Sequence, residues 1–517
     1  MINRKTLNFL DKTILKHMKT TDIAAPDWKP LDKLQTILVQ LETGQITYCH
    51  WKSNYHLNYA LTGKEDVDVL VAFQDFSAFV EILMANGFKV AESITSKKQP
   101  GVFHFLGNDD ATGTLINIHT FSWILTGDHF LKSWNFPFAD MLLAETRSMH
   151  GVKIPVASSE LIVFVIRHMI KQTTPVDFYM GMKHVQDNKE EYQWLTHELD
   201  IDASVSKLNQ YFPEISPADF HAARELLIQD GRWMKKILLG LKFRRALGKY
   251  QRFGLIEQYL MTLIALTKMA FNKFAKKQKH MHMQTGGKII AFVGPQATGK
   301  STLTSALQAW LGQELSVQCI HAGKPPSTLL TWLPNNLIPL ARKIFTGYAT
   351  VKIEKAAEDN QQHDFPLIFI VRKVILAHDR RSLLRKAYRQ SRNGMIVISD
   401  RYPSDEIGAI DGATFRDESI NQQRFVVKRL LMRLERKIYR DICPPDLVLQ
   451  LTVSVEKAVL RNQIRDKEGD QTTEYVQMRH TMKYIPRFDH CPVIEISTDR
   501  DFQETLVDAK QHVWKHL

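Results

Sequence analysis

The spacing of apolar and polar residues changes character along the chain. Before residue 157, short apolar runs such as VDVLVAF and GTLINIHTF predict strands, and FSAFVEILMANG predicts a helix. Between residues 158 and 279, apolar residues recur three and four positions apart, as in SSELIVFVIRHMIK, which predicts a mostly helical region. After the turn signal QTGGK, apolar strands, loops and helices alternate, and this alternation predicts a parallel α/β sheet.

These changes predict four segments. They are a helical N-terminal extension at 1–30, an α+β domain at 31–157, a helical basic connector at 158–285 and an α/β domain at 286–517. Apolar residues make up 44% of the chain and charged residues 24%, which excludes a wholly disordered or fibrous chain. The four cysteines lie far apart in the sequence, which argues against a zinc module and a disulfide-built scaffold.

The N-terminal stretch lacks the continuous apolar core of a secretory signal. The most apolar later stretch, 253–271, contains Glu257 and Lys268 and falls short of a clean membrane span. We therefore expect a cytoplasmic protein.

The positive charge of the chain is concentrated in one segment. The net charge is +13, and residues 231–288 contain fourteen Lys or Arg residues and one acid, Glu257. Three interpretations stay open: a solvated helical connector, a basic amphipathic surface for an anionic membrane or polyanion, and a nucleic-acid surface. No interleaved stacking motif accompanies the charge, so we expect no stable nucleic-acid binding, whereas peripheral membrane association remains an alternative.

The strongest motif is GPQATGKS at 294–301, which matches the phosphate-binding pattern GxxxxGK[ST]. It follows the apolar strand KIIAFVG and precedes a predicted helix, TLTSALQAWL, which is the context that the motif requires. Lys300 would bridge the β- and γ-phosphates, and the Ser301 hydroxyl would hold Mg²⁺. The sequence therefore predicts ATP and Mg²⁺ as cofactors. The predicted nucleotide-binding residues are Gly294, Pro295, Gln296, Ala297, Thr298, Gly299, Lys300, Ser301 and Thr302.

A second element has the form of a Walker B strand. The run GMIVISDRY is an apolar strand that ends in Asp400, whose carboxylate could hold Mg²⁺ or accept a proton at the transfer site. The alternative is a buried strand that ends in an ordinary surface ion pair.

Four stretches together resemble the thymidylate kinase family, a nucleoside-monophosphate-kinase type of P-loop protein, over residues 286–517. They are the P-loop, AHDR at 377–380, DRY at 400–402 followed by Ser404, and PDLVLQLTVSVEKAVLRNQIR at 445–465. The resemblance implies a P-loop kinase fold with a parallel five-stranded sheet. It also implies that Arg380 and Arg401 grip an acceptor phosphate beside Tyr402.

The last stretch resembles the family's arginine-bearing lid. Arg461 and Arg465 are four residues apart on a predicted helix, so both could close over the donor phosphates. For each arginine, the alternative is an ordinary surface ion pair.

The chain departs from the family at two places. The family usually carries an acid in the P-loop, where this chain has Gln296 and Ala297, and an arginine in the substrate loop, where IHAGKPPS offers Lys324. The acceptor therefore stays open: a nucleoside monophosphate such as dTMP, another nucleotide, a phosphorylated sugar or a lipid-linked acceptor.

The N-terminal half contains a second candidate site. The run GKEDVDVLV resembles the DxD strand of nucleotidyltransferase-fold proteins, in which Asp66 and Asp68 would point to one face and hold Mg²⁺, with Lys52 available for a phosphate. A third acid is expected on GTLINIHTF, where Asn117 and His119 stand. The alternatives are an active transferase, an inactive domain of that fold, and an alternating surface strand.

We predict from these motifs an ATP-dependent phosphotransferase that acts on a phosphorylated acceptor. Two other classes stay open: a nucleotidyltransferase with a regulatory P-loop ATPase domain, and an ATP-switched binding protein. The oligomeric state is not predicted.

Overall fold

The computed structural model describes residues 28–93, 99–127, 131–171, 185–197, 199, 201–229, 231–274, 280–336, 365–407, 411–465, 473–481, 488 and 491–517. The predicted N-terminal helical extension lies outside the described residues except for positions 28–30.

Strands and helices alternate in the first third of the described chain. In order they are α1 (Asp32–Thr43), β1 (Tyr48–His50), α2 (Leu57–Leu61), β2 (Val67–Val71), α3 (Phe76–Ala85), β3 (Lys89–Glu92), β4 (Val102–Asn108), β5 (Leu115–Phe121), β6 (Leu125–Thr126), β7 (Trp134–Asn135), α4 (Phe138–Ala144), β8 (Thr146–Met149) and β9 (Val152–Pro155).

Between residues 157 and 274 the described elements are helices. Its elements are α5 (Ala157–Lys171), α6 (Val185–His197), α7 (Ile201–Tyr211), α8 (Pro217–Ile228), α9 (Trp233–Ala246) and α10 (Leu255–Phe274). The start of α8 shows why a helix begins there: Pro217 takes the first position, and the Ser216 hydroxyl accepts from the Asp219 N–H at 3.1 Å.

The last part of the chain returns to strands and helices. Its elements are β10 (His282–Met283), β11 (Ile289–Val293), α11 (Lys300–Leu311), β12 (Val317–Ile320), α12 (Leu367–Arg392), β13 (Ile396–Ser399), α13 (Asp417–Asn421), α14 (Val426–Arg440), β14 (Leu447–Thr452), α15 (Val455–Arg465), α16 (Thr473–Thr481), β15 (Val493–Ser497) and α17 (Phe502–His516). None of the helices in the described ranges is both long enough and apolar enough to cross a bilayer.

The chain divides into two compact units, each built from two stretches of sequence. The first unit comprises residues 1–82 and 136–249, and the second comprises residues 83–135 and 250–517. The division into four segments rests on changes of sequence pattern and stays a prediction.

The second unit contains a five-stranded parallel sheet in the order β12-β13-β11-β14-β15. The strand that precedes the P-loop, β11, is central and fully buried. Leu303 and Leu307 from α11 and Val513 from α17 belong to the core on one side of this sheet. The parallel five-stranded sheet predicted from the sequence is therefore confirmed.

An antiparallel group of strands also belongs to the second unit. Strand β4 pairs with β5 over seven residues, and β3 joins β4 to β10. Helix α17 is tied to this group, because the Trp514 indole donates to the Gly87 carbonyl at 2.9 Å and Lys510 donates to the Gly113 carbonyl at 2.9 Å. The strand predicted for GTLINIHTF is β5.

The first unit combines a short antiparallel pair with a helical group. Strands β1 and β2 pair with His50 opposite Val69, so the predicted DxD strand is present as β2. Helix α5 is buried along most of its length and packs against α7, α8 and α9. Its apolar residues therefore form the core of this unit.

Candidate functional site

The P-loop forms a sharp turn at the carboxyl end of β11. Gly294, Ala297 and Gly299 all have positive φ angles, of 143°, 65° and 87°. A Cβ at Gly294 would lie 2.5 Å from the Leu451 carbonyl oxygen on the neighbouring strand, so only glycine fits there. The loop then enters α11, whose first backbone N–H groups have no partner within the helix and point toward the loop.

The side chain of Lys300 folds back over this loop. Its ammonium group donates to the carbonyl oxygens of Gly294 at 2.9 Å and Pro295 at 2.6 Å. Thr298 is fully buried, and its hydroxyl donates to the Pro295 carbonyl at 3.0 Å, which braces the turn. The Lys300 ammonium group therefore lies at the phosphate-binding turn, which is formed by the loop N–H groups and the positive end of α11.

Asp400 lies at the carboxyl end of β13, beside the end of β12. Both of its carboxylate oxygens are 2.6 Å from Nδ1 of His321, the residue that follows β12. The carboxyl ends of neighbouring parallel strands share one sheet edge, which explains how two residues far apart in sequence meet. His321 is a site residue that the sequence reasoning missed.

Mg²⁺ with a nucleoside triphosphate usually takes one or two protein ligands and completes its shell with phosphate oxygens and water. Ser301 offers an exposed hydroxyl in the first turn of α11, and Asp400 offers a carboxylate. Within the described ranges, no group of three or more His, Cys, Asp or Glu residues could hold a metal ion by itself. The residues present fit an ion that arrives with phosphate oxygens.

Arg380 is buried and engages four of its five N–H groups. Nε donates to the Ala322 carbonyl at 3.1 Å, and Nη1 donates to the Asp411 carbonyl at 3.0 Å and to the Tyr439 hydroxyl at 2.7 Å. Nη2 donates to the Asp411 carboxylate, in an ion pair with both side chains under 10% exposed. Arg380 therefore connects α12 to the loop after β12 and to Asp411.

Arg401 shares the same carboxylate but is much more exposed. Its Nη1 is 3.3 Å from Asp411 Oδ2, and the side chain is 42% exposed. A Cβ at Gly323 would lie 2.7 Å from Arg401 Cδ, so this glycine leaves room for the arginine beside the loop that carries Lys324. Lys324 itself is exposed.

The aspartate before Arg380 anchors the following loop. Asp379 is buried and accepts hydrogen bonds from the hydroxyl of Thr331 at 2.5 Å and the amide of Asn335 at 3.0 Å. The AHDR motif therefore holds residues 328–336, the stretch just beyond Lys324. Most of the long apolar and basic stretch from Thr328 to Asp364 lies outside the described residues.

Tyr402 is directed into the protein. Its hydroxyl donates to the Cys443 carbonyl at 2.6 Å, and its ring makes an edge-on contact with Phe488. Burial raises the pKa of this phenol well above its usual range. In this arrangement Tyr402 supports the strand end that carries Asp400 and Arg401.

Two helices after β14 contact the P-loop. Arg461 of α15 donates to the Ala297 carbonyl at 3.5 Å and to the Thr498 carbonyl at 2.8 Å. His480 of α16 donates through Nε2 to the Gln296 carbonyl at 2.7 Å, so this helix also braces the loop. The side chain of Arg465, the second predicted lid arginine, lies outside the described residues.

The first unit contains a separate polar cleft of about 320 Å³. Asp66 and Asp68 both line it, as their spacing on one face predicts. Lys52 lies 3.1 Å from the Asp68 carboxylate and offsets its charge. The remaining lining residues are His50, Ser53, His56, Ala60 and Glu65.

A buried chain of polar groups supports His50 in this cleft. His50 Nδ1 lies 2.5 Å from the Asn54 side-chain oxygen, and the Asn54 amide donates to Glu160. Burial lowers the pKa of His50 and raises the pKa of Glu160 to about 8. Because Nδ1 faces an acceptor, it carries the ring proton, and Nε2 keeps its lone pair. No pattern in the sequence indicated this connection.

Two positions at which the sequence suggested a third ligand lie in the second unit. Asn117 donates to the Glu314 carboxylate at 3.3 Å, and His119 stacks on His104 with ring centroids 4.4 Å apart. Both side chains thus have structural contacts within that unit.

Comparison with known proteins identifies relatives that include the following two. A protein of Escherichia coli K12 described as the uncharacterized ATP-binding protein YghR is 24% identical over 241 residues, which are 44% of this chain and 86% of that protein. A second, the uncharacterized ATP-binding protein YghS of the same strain, is 30% identical over 180 residues, which are 34% of this chain and 73% of that protein.

Among solved structures, thymidylate kinase from Candida albicans aligns with 45% of this chain and 94% of its own, at 19% identity and a TM-score of 0.26. No family model matches the chain.

Proposed function

We propose that this chain, which belongs to the family of the uncharacterized ATP-binding protein YghS of Escherichia coli, binds ATP at its P-loop and transfers the γ-phosphoryl group to an acceptor. The ATP-binding description of both relatives supports the donor, and the sheet of the second unit provides the frame in which P-loop proteins carry out this chemistry.

The observation that carries the proposal is the position of Lys300. Its ammonium group lies over the loop that follows the central strand, 2.9 Å or less from two loop carbonyl oxygens. Bound phosphates would offer stronger acceptors than these carbonyls, so the same side chain could turn to the β- and γ-phosphates with little movement. Ser301 and Asp400 would hold Mg²⁺, which supplies charge neutralisation when bound.

We assign different roles to the two arginines of the acceptor motifs. Arg401 is 42% exposed and adjoins the Lys324 loop, so it can contact an acceptor phosphate. Arg380 is enclosed by Ala322, Asp411 and Tyr439, and it would act by holding that loop in position. A phosphorylated acceptor therefore rests on Arg401 and Lys324, and a nucleoside monophosphate such as dTMP is one such acceptor.

A second candidate function rests on the cleft of the first unit. Asp66 and Asp68 share this cleft with Lys52, as a nucleotidyl-transfer site would require. The ion pair between Lys52 and Asp68 leaves less negative charge for Mg²⁺, which favours the phosphotransferase as the primary function.

Titration calorimetry of the full chain with MgATP tests nucleotide binding. We expect saturable binding by the wild type and at least a tenfold loss of affinity in Lys300→Ala. Lys288→Ala is the matched control, because Lys288 pairs with Asp446 at 3.6 Å and should leave the affinity unchanged. Equal affinities of wild type and Lys300→Ala would contradict the proposal.

A further inference from the structure

Helix α10 has an outward apolar stripe, which we define as Ile256, Leu260, Leu263 and Ile264. These side chains are between 45% and 78% exposed. At about 100° per residue they fall within an arc of roughly 100° on the helix surface. A stripe of this width normally faces a protein core.

The described residues on the opposite face of α10 are more buried. Gln258, Thr262 and Ala265 are half-buried, and Gln258 accepts from the Gln251 amide at 2.9 Å. The helix therefore exposes an apolar stripe, whereas its half-buried side includes the polar residues Gln258 and Thr262. Exposed apolar surface of this extent marks a contact with another apolar phase.

The preceding basic helix also exposes apolar residues. Helix α9, in the first unit, buries Gly240 and Phe243, whereas Met234, Leu238 and Leu241 on its other side are exposed. Two successive helices of the basic segment thus expose apolar residues. Exposed apolar surface is therefore a property of the basic segment and is not confined to α10.

The charge around the α10 stripe favours one kind of partner. In the sequence, residues 250–279, which include α10, contain six Lys or Arg residues and one acid, Glu257. A second copy of the chain would carry the same positive charge, so the two copies would repel each other. A nucleic acid would leave the aliphatic stripe exposed to water. An anionic bilayer satisfies both features, because its headgroups attract the cations and its acyl boundary accepts the apolar stripe.

We propose that the outward stripe of α10 lies in the interface of an anionic phospholipid bilayer and holds the protein at the membrane surface. The exposed cations Lys268, within the helix, and Arg252, just before it, contact the lipid headgroups. The helix lies along the surface with its stripe directed to the acyl chains. This inference is independent of the reaction proposed for the P-loop.

Vesicle flotation of the full chain tests the inference. The probes are phosphatidylcholine vesicles and vesicles with about 30% phosphatidylglycerol, at low and at physiological salt. We expect binding only to the anionic vesicles, weaker at higher salt. The double variant Leu260→Glu, Leu263→Glu should bind at least tenfold more weakly, because it places charge in the acyl boundary.

Two matched variants identify the surface. Val39→Glu places the same charge on an exposed apolar position of α1 and should bind vesicles like the wild type. Leu430→Glu places the same charge on the exposed side of α14, another basic helix, and should also leave vesicle binding unchanged. Circular dichroism of each variant confirms that helix content is retained.

The following outcomes would overturn the inference. They are absence of flotation with anionic vesicles, equal binding by the double variant, or loss of binding in Leu430→Glu with retention in the double variant. Concentration-dependent dimers that the double variant abolishes, without vesicle binding, would instead assign the stripe to a second copy of the chain. Binding of a thymidine oligonucleotide that excludes vesicles would assign the segment to nucleic acid.

Discussion

Arg380 and Asp411 form an ion pair in which both side chains are buried, and the carboxylate of Asp411 also lies 3.3 Å from Arg401. One carboxylate thus contacts both arginines that the acceptor motifs provide. The pair links α12 to the loop after β12, because the Arg380 guanidinium also donates to the Ala322 carbonyl. We therefore expect the two arginines to respond differently to the same substitution.

Arg380→Lys should lower the free energy of unfolding by about 2–4 kcal/mol. A lysine ammonium cannot reproduce four hydrogen bonds in the planar fork of a guanidinium, so buried acceptors would lose their donors. Urea denaturation followed by circular dichroism measures the loss. An unchanged urea midpoint would contradict a positioning role for Arg380.

Arg401→Lys is the companion variant. Because the side chain is 42% exposed, its ion pair should contribute less than about 1 kcal/mol to stability. Phosphoryl transfer to the acceptor should nevertheless fall about tenfold, since lysine cannot form a bidentate contact with a phosphate. Steady-state kinetics with ATP affinity measured on the same preparation distinguishes the two effects. Loss of ATP affinity with normal transfer would move Arg401 to the donor side.

The sequence predicted those functional elements that lie within one continuous stretch of chain. The P-loop strand, its helix and the strand before Asp400 follow from short apolar runs, and the parallel direction of the strands follows from the alternation of strands and helices. Asp66 and Asp68 line one cleft, and their two-residue spacing had indicated that they lie close together.

The partners of these residues could not be predicted in the same way. His321 meets Asp400, and Asp411 meets Arg380, only because separate strands and loops end at one edge of the sheet. The contact of His480 with the P-loop depends on the packing of α16, and no local pattern encodes it. Long-range contacts are decided by tertiary packing, which a single sequence does not specify residue by residue.

The contact of Arg461 with the P-loop predicts a role in shaping the nucleotide site. Arg461→Ala should weaken ATP affinity about fivefold, because the loop would lose a donor at Ala297 and a tie to Thr498. Fluorescent nucleotide titration measures the effect. The control is Arg500→Ala, which removes a surface ion pair with Asp508 and should leave affinity unchanged. Equal affinity of both variants would place Arg461 outside the nucleotide site.

Glu435 should make the stability of the protein depend on pH. Burial raises its pKa from 4.5 to about 7, so the folded protein holds a proton that the unfolded chain releases. The stability that this proton contributes is fully present below about pH 4.5 and is lost as the pH rises through 7. Glu435→Gln keeps the acceptor for the Thr414 N–H and removes the titration.

Urea midpoints at pH 5 and pH 8 provide the measurement. We expect the wild type to lose more stability between the two values than Glu435→Gln, by about 1–2 kcal/mol. Other groups, among them Glu160, titrate in both proteins and cancel in the comparison. Equal losses of stability between pH 5 and pH 8 in the wild type and in Glu435→Gln would show that Glu435 is ionised in the folded protein.

The cleft of the first unit should be separable from the P-loop reaction. The double variant Asp66→Asn, Asp68→Asn should change ATP turnover at the P-loop less than twofold. It should abolish any metal-dependent transfer from α-labelled ATP, because amides bind Mg²⁺ more weakly than carboxylates. ATP turnover at the P-loop and transfer of the α-label are measured on the same preparation, so that the two reactions can be separated. Full retention of label transfer would remove this cleft from consideration as a nucleotidyl-transfer site.

The most direct test of the central claim is the release or transfer of labelled phosphate from γ-labelled ATP by wild type and Lys300→Ala under the same conditions. The ammonium group of Lys300 lies in the cradle at Gly294 and Pro295, where the β- and γ-phosphates should bind. We predict at least a hundredfold lower turnover in Lys300→Ala, with the urea midpoint retained. Turnover at the wild-type rate in Lys300→Ala would contradict the assignment of the P-loop as the site of phosphoryl transfer.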